Sequence, residues 1–500
     1  MSEVLILGGG VAGLSAGIYA LLSGHSVTIC EKNRVPGGNL TGWDRGAYHI
    51  DNCIHWLTGT NPATDTYAMW ERLGMLGGVG IIETESLYTY EKDGESLSLS
   101  RDLDLFERRM LSLSPRDADE IRLFCDAVRT VQYMSGIGGR RRDESFGAFR
   151  TALAAPSLAR YVRMTTGELA ARFSHPLISG FITALLTENF GAIALITVCA
   201  HFCAGNADLV RDGSRAAAGR MAKRFTELGG ELLLDTEVIR INVVGGEARS
   251  ATLADGRIFG ADRFIVTADP ARVFGKILDA PMPRALASRY RRESLERFSC
   301  FQCAFACPTN SLPFRGEVVF DLPEKSARAL GQKRIAVREF SHEPSFAPEG
   351  ETVVQTMLIC GEKVCRRFIA LAAMPKEYAT VKKRAASDVV SALAEHYPAL
   401  DGALRLVDCW TPETYRRFVG TECGSFMSFA FGASTLPRTL SSRIDGVDNV
   451  YLATQWQTLP GGLPLAAQCG KLAVEAIDRA EARAGIGSRR PSHRFAGAQT

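Results

Sequence analysis

An α/β fold built on a Rossmann-like parallel sheet is the prediction for this 500-residue chain, and three observations carry it. Residues 4–17 read VLILGGGVAGLSAG, an apolar run, a glycine turn and a helical pattern in direct succession. A second apolar run, Val27-Thr28-Ile29-Cys30, ends on Glu31, eighteen residues beyond Gly13. Near the other end, residues 451–477 read YLATQWQTLPGGLPLAAQCGKLAVEAI and repeat the strand, glycine turn, helix grammar. Two such turns mark either two separate domains or two grips on one ligand.

Four apolar residues in a row, Val4-Leu5-Ile6-Leu7, suit a strand buried on both faces of a parallel sheet. The turn that follows, Gly8-Gly9-Gly10-Val11-Ala12-Gly13, has the G-x-G-x-x-G spacing. Gly8 permits the tight turn, Gly10 lets backbone touch a pyrophosphate, and Gly13 allows close helix–strand packing. The helix opening at Val11 and Ala12 carries Leu14, Ile18, Leu21 and Leu22 at helical spacing and stops at Gly24. Its N-terminus offers unpaired N–H groups and the positive dipole end to phosphates. Glu31 is placed to accept hydrogen bonds from a ribose diol and to repel a 2′-phosphate. The next residues, KNRVPGGNLTGW, bring Lys32, Gly37-Gly38 and Asn39 where a nicotinamide domain would begin another helix. A glycine pair there implies that backbone must approach something flat or charged a second time.

Composition excludes several classes. With 46% apolar and 23% charged residues the chain reads as an ordinary globular protein, and a net charge of +3 is too mild to argue for nucleic acid. Thirteen cysteines without framework spacing read as reduced thiols in a cytoplasmic protein, and no basic leader precedes Val4. The most apolar stretch, residues 176–205, is divided by Glu188 and Asn189, so neither half reaches the ~20 residues of a spanning helix. Buried core helices are its first reading; a greasy substrate chamber or a peripheral membrane contact is the second. Cys300, Cys303 and Cys307 lack a fourth thiolate for an iron–sulfur cluster. Read as a strand, Phe301, Cys303, Phe305 and Cys307 share one face, and no metal site is expected.

With these residues in hand, the chain resembles FAD-containing enzymes of the amine-oxidase fold, and within them the phytoene desaturase, carotenoid isomerase and retinol saturase branch. The carriers are the two glycine blocks above and the central GGELLLDTEVIRINVVGGEARSATLADGRIFGADRFIVTADP. The resemblance implies a glutathione-reductase-type, discontinuous FAD-binding domain from residues 1–60, 206–280 and 426–485. An α+β substrate domain would come from 61–205 and 281–425, with 486–500 a flexible basic tail. It also implies one extended flavin gripped by both glycine turns, with the backbone of Val238 against the adenine. Gly462, Leu463 and Pro464 then aim a second helix N-terminus at the flavin N1/O2 edge, where negative charge develops on reduction. That helix is expected to bury Leu465, Cys469, Leu472 and Ala476. After Thr60 the chain reads as helical and irregular to about residue 205, with Arg140-Arg141-Arg142 as a solvated loop.

Two departures from the family pattern mark the flavin ring. Cys53 stands where glycine is common, and Cys53 or His55 either faces the flavin, His55 as an acid/base, or holds the loop after Gly38. Thr454-Gln455 replaces the usual glycine–acid pair on the ribityl chain, and Trp456 either walls the substrate chamber or packs on Pro460. The expected activity is hydride transfer to or from flavin N5 on a long, apolar, polyunsaturated lipid of carotenoid or retinoid type, by desaturation, saturation or isomerisation. Flavin amine oxidation is the second reading, and non-catalytic isoprenoid or lipid binding the third. No second G-x-G-x-x-G follows a strand, so the electron partner is expected to be oxygen, a quinone or a diffusible carrier.

Overall fold

Val4–Leu7 lies in the middle of a six-stranded sheet whose order is Glu231–Leu233, Ser26–Cys30, Glu3–Leu7, Arg263–Val266, Val447–Leu452 and Arg443–Ile444. The computed structural model describes residues 1–134, 156–430, 432 and 438–485. The Arg140–Arg142 loop and the 486–500 tail lie outside them. Five of the strands run parallel, and only Arg443–Ile444 is antiparallel to its neighbour. Leu7 pairs with Cys30 on one side and Val266 on the other, and Val266 pairs with Leu452, so the strands that precede the two glycine turns finish level.

Two helices cross on one face of this sheet. Val11–Leu22 is buried on most sides, with Tyr19 and Leu21 partly and Leu22 largely exposed, because the closing helix Leu463–Ala484 packs on it. Small residues make the crossing close: a Cβ on Gly470 would meet Ala12 O at 2.5 Å and Ala16 N at 2.7 Å. Ser15 adds a hydrogen bond from Oγ to Ala467 O of 2.7 Å. The buried side of the closing helix is therefore Ala467, Cys469, Ala473, Val474 and Ile477. This corrects the expected stripe: Leu465 and Leu472 face a cavity, where apolar side chains are as welcome as in a core.

The second sheet has seven strands, in the order Arg405–Trp410, Phe298–Pro308, Glu351–Gly361, Arg334–Glu339, Glu317–Asp321, Ser86–Lys92 and Glu95–Ser100. Phe301, Cys303, Phe305 and Cys307 enter one core with Val389 and Leu393, while Cys300 and Ala304 enter another with Trp410. Strand alternation thus separates Cys300 from the other two thiols. The hairpin Ser86–Ser100 corrects the helical reading of 61–205. Asp93 and Gly94 take positive φ of 52° and 80°, the two-residue turn that matches strand twist. Apart from the short strand Ile81–Ile82, the regular elements of the described remainder of that stretch are helices, including Pro176–Ile182 and Ala192–Cys203 either side of the Glu188-Asn189 break. Among the described residues no helix is long and apolar enough to cross a membrane.

Candidate functional site

A single cavity of about 2380 Å³ is lined by Gly8, Gly10, Val11 and Ala12 of the opening turn and by Gly462, Leu463 and Pro464 of the closing one. The two turns are grips on one space. Ligand pockets usually measure about 300–1,000 Å³, so this cavity has room for a large cofactor and a second molecule. Lys32, Gly37, Gly38, Asn39, Val238, Cys53, His55, Gln455 and Trp456 line it as well. Gly13 does not. Its Cβ would meet Gly8 O at 1.9 Å, so its part is helix–strand packing rather than ligand contact, a correction to its place among the cofactor residues.

The opening turn is a cradle that side chains would fill. Gly10 N-caps its helix with no side-chain cap, which leaves N–H groups of the first turn directed at the cavity. Gly37 has φ of 114°, and a Cβ there would meet Leu40 O at 2.3 Å and Ala218 at 2.6 Å. Its N–H donates to Gly9 O at 2.8 Å, which fixes the two glycine turns against each other. Glu31 is buried at the cavity wall. Its Oε2 accepts from Gly9 N–H at 2.7 Å, and Oε1 accepts from the Asn33 backbone N–H at 2.9 Å and Nδ2 at 2.8 Å. Burial raises its carboxyl above the usual range, against the pull of those donors and of Lys32. Lys32, lowered by burial and by Arg272, donates to Arg417 O at 2.7 Å. These features suit a pyrophosphate at the helix end and a ribose diol at the acid.

At the closing turn Gln455 Oε1 accepts from Gly462 N–H at 3.0 Å, and its Nε2 donates to Phe426 O at 3.3 Å. Gln455 therefore shapes the glycine turn as well as lining the cavity. Gly462 N-caps Leu463–Ala484 without a side-chain cap, so the first-turn N–H groups, those of Leu463 and Leu465, have no helical acceptor. Trp456 is stacked on Tyr290 with centroids 5.5 Å apart and meets Phe429 edge-on at 5.1 Å. These two rings hold the indole against the cavity.

Between the grips lies a polar network that local sequence could not disclose. His55 Nδ1 lies 2.8 Å from Glu317 Oε2, and the buried Arg338 Nε lies 3.7 Å from the same oxygen. Arg338 also donates to Ile54 O at 2.6 Å and to His55 O. Burial alone would raise the Glu317 carboxyl; the His55 partner and then Arg338 more than offset it and hold the group below its ordinary value. Asp51 holds the loop by accepting from Ser214 N–H and Oγ–H at 2.5 Å each and from Cys53 N–H at 3.1 Å. Cys53 is pushed up by burial and remains a neutral thiol. Tyr415, also on the wall, donates to Asn52 Oδ1 at 2.8 Å and accepts from Gln302 Nε2 at 2.7 Å. Beyond this network Leu185, Leu186, Phe190, Val198, Val319 and Ile359 give the wall an apolar patch, and charged side chains such as Arg163, Glu188, Lys333 and Arg334 line the same cavity.

A Rossmann-type sheet, an acid closing its second strand and two helix N-termini opening on one long cavity define an FAD-dependent oxidoreductase. The particular family is equally plain. The chain belongs to the flavin containing amine oxidoreductases, whose family model matches residues 11–478, and its cofactor is FAD. It is 22% identical over 446 residues to prolycopene isomerase 1, chloroplastic, of an Oncidium hybrid cultivar, covering 85% of this chain and 75% of that protein. It is 24% identical over 469 residues to phytoene desaturase (lycopene-forming) of Pseudescherichia vulneris, covering 86% and 89%. An oxidoreductase from Methanosarcina mazei shares the fold at TM-score 0.60 and 15% identity, covering 95% of this chain and 100% of that one. Cyclohexylamine oxidase from Brevibacterium oxydans IH-35A does so at 0.56 and 14%, covering 96% and 100%.

Proposed function

We propose that this enzyme desaturates, saturates or isomerises a long apolar polyene of carotenoid or retinoid type. Bound FAD supplies a two-electron hydride acceptor and donor at N5. The observation that carries the reading is the continuity of the flavin grips with a wall of Leu185, Leu186, Phe190, Val198, Val319 and Ile359, in a cavity far larger than the cofactor needs. The relatives named as prolycopene isomerase and phytoene desaturase supply the polyene. An apolar chamber binds such a chain by area alone and excludes water from the reacting carbon.

In this reading the Gly10–Ala12 turn binds the pyrophosphate, Glu31 the adenosine ribose and the Val238 backbone the adenine. Lys32, Gly37, Gly38 and Asn39 close over the cofactor, while Gln455 and Gly462–Pro464 hold the ring. Cys53 and Trp456 face the substrate, and His55, oriented by Glu317, holds or moves a proton at its Nε2. Residues 1–60, 206–280 and 426–485 form the FAD-binding domain, and 61–205 with 281–425 the substrate domain. The electron partner is oxygen, a quinone or a diffusible carrier. The location is the cytoplasm, with a peripheral membrane contact for loading an apolar substrate. Amine oxidation would want a free lysine near N5. The two lysines on the cavity wall are engaged, Lys32 with Arg417 O and Lys333 with Glu188.

The test is anaerobic reduction of the bound flavin, then mixing of reduced and oxidised forms with polyenes and with amines. Polyenes are expected to change the flavin spectrum or to be isomerised, and amines to leave it unaltered. Reduction by an amine with no response to any polyene would transfer the assignment to amine oxidation.

A further inference from the structure

The helix Ala192–Cys203 presents a stripe to the chamber at i, i+3, i+4 and i+7: Ala194, Thr197, Val198 and His201. Three of the four are effectively apolar there. Ala194 and Val198 have no polar atom, and the Thr197 hydroxyl is spent on Ile193 O at 2.7 Å. His201 is the exception. Its Nδ1 lies 3.0 Å from Asn206 Nδ2, and the Asn206 amide has a fixed sense because its Oδ1 accepts from Asn61 N–H at 3.0 Å. Nδ2 is therefore the donor, Nδ1 the acceptor, and the imidazole proton sits on Nε2.

That Nε2–H has no hydrogen-bond partner among the described residues. Burial pushes the imidazole down to about 4, so the ring is neutral at physiological pH. The backbone locks the arrangement: Asn206 N–H donates to His201 O at 2.9 Å. On this stripe, otherwise suited to hydrocarbon, His201 carries a neutral, oriented donor. Ala63–Thr66, where the helix Asp65–Arg72 begins, also line the cavity, and Ala63 is exposed, so this end of the chamber lies near the surface. Asp65 is among them and would repel a carboxylate.

Resting on the polyene reading above, we propose that His201 Nε2–H receives a neutral oxygen at one end of the substrate, so that the preferred polyene carries a hydroxyl or carbonyl end group. A pure hydrocarbon packed against His201 would displace water from this donor without replacing its hydrogen bond, and one such unmet hydrogen bond corresponds to roughly tenfold in affinity.

The experiment uses the FAD-loaded protein and two probes delivered in the same detergent micelles, lycopene and its terminally hydroxylated derivative, with binding read from quenching of flavin fluorescence. The hydroxylated probe is expected to bind about tenfold more tightly. His201→Phe should abolish that preference while leaving lycopene binding and flavin content unaltered. His201→Gln, which keeps an N–H donor and Asn206's partner, should retain part of it and guards against a folding defect in the first variant. A preference ratio that neither variant changes, or none in the parent, overturns this inference alone. Failure of both probes to bind overturns it together with the proposed function.

Discussion

Replacing Glu31 with alanine separates the acid's two tasks. In the protein the carboxylate accepts three hydrogen bonds, from Gly9 N–H at 2.7 Å, Asn33 N–H at 2.9 Å and Asn33 Nδ2 at 2.8 Å. Gly9 is buried, so Glu31→Ala strands its N–H at a cost of about 1–3 kcal/mol whether or not FAD is present. That loss appears in stability and cancels from affinity. What affinity loses is the charged acceptor for the ribose, worth about 1.5–3 kcal/mol, or roughly 10- to 150-fold in Kd. Glu31→Gln is the informative partner. Donors approach both carboxylate oxygens, so the amide must turn its NH₂ toward one of them, and a single acceptor remains. Its loss of affinity should fall between wild type and alanine. The assay is titration of the deflavinated protein with FAD, followed by flavin fluorescence, beside a thermal melt of the same apoprotein. A folded Glu31→Ala protein whose Kd stays within about threefold of wild type would refute the ribose assignment.

The purified protein should be yellow, and denaturation should release the flavin absorbance into the filtrate. Gly37→Ala places a Cβ 2.3 Å from Leu40 O at a φ of 114°, so it should yield protein with little bound flavin, checked by the ratio of flavin to protein absorbance. His55→Phe should slow turnover by about a hundredfold or more with unchanged Kd for FAD, measured by single-turnover flavin kinetics and titration. The folded-state carboxyl of Glu317 lies below its ordinary value of 4.5, so between those two values the unfolded chain binds more protons. Its contribution to stability is thus full above about pH 4.5 and is lost as pH falls through the folded value. Glu317→Gln should flatten that acid limb in thermal melts taken from pH 6 downward.

Features set by neighbours in sequence were legible before any coordinates. The strand Val4–Leu7, the glycine turn and Glu31 follow one another within a single βαβ unit, where spacing and geometry are nearly the same information. The Asp93-Gly94 hairpin is as local a signal, a two-residue turn between Ser86–Lys92 and Glu95–Ser100. On the closing helix the apolar period identifies a helix but not its buried side, because Leu465 and Leu472 line the cavity instead of the core. The polar groups of the chamber were beyond such reading. Glu317 meets His55 across 262 positions, and Tyr415 meets Asn52 across 363. No periodicity encodes a partner at that distance.

The strand Glu317–Asp321 pairs in parallel with Ser86–Lys92, so the seven-stranded sheet joins two lengths of chain between which two strands of the six-stranded sheet, Glu231–Leu233 and Arg263–Val266, are made. During synthesis the early hairpin must wait, with one edge uncovered, for more than two hundred further residues to leave the ribosome. Anyone grafting the seven-stranded sheet onto a relative has to move both lengths together, since either one alone would carry an open strand edge into solvent.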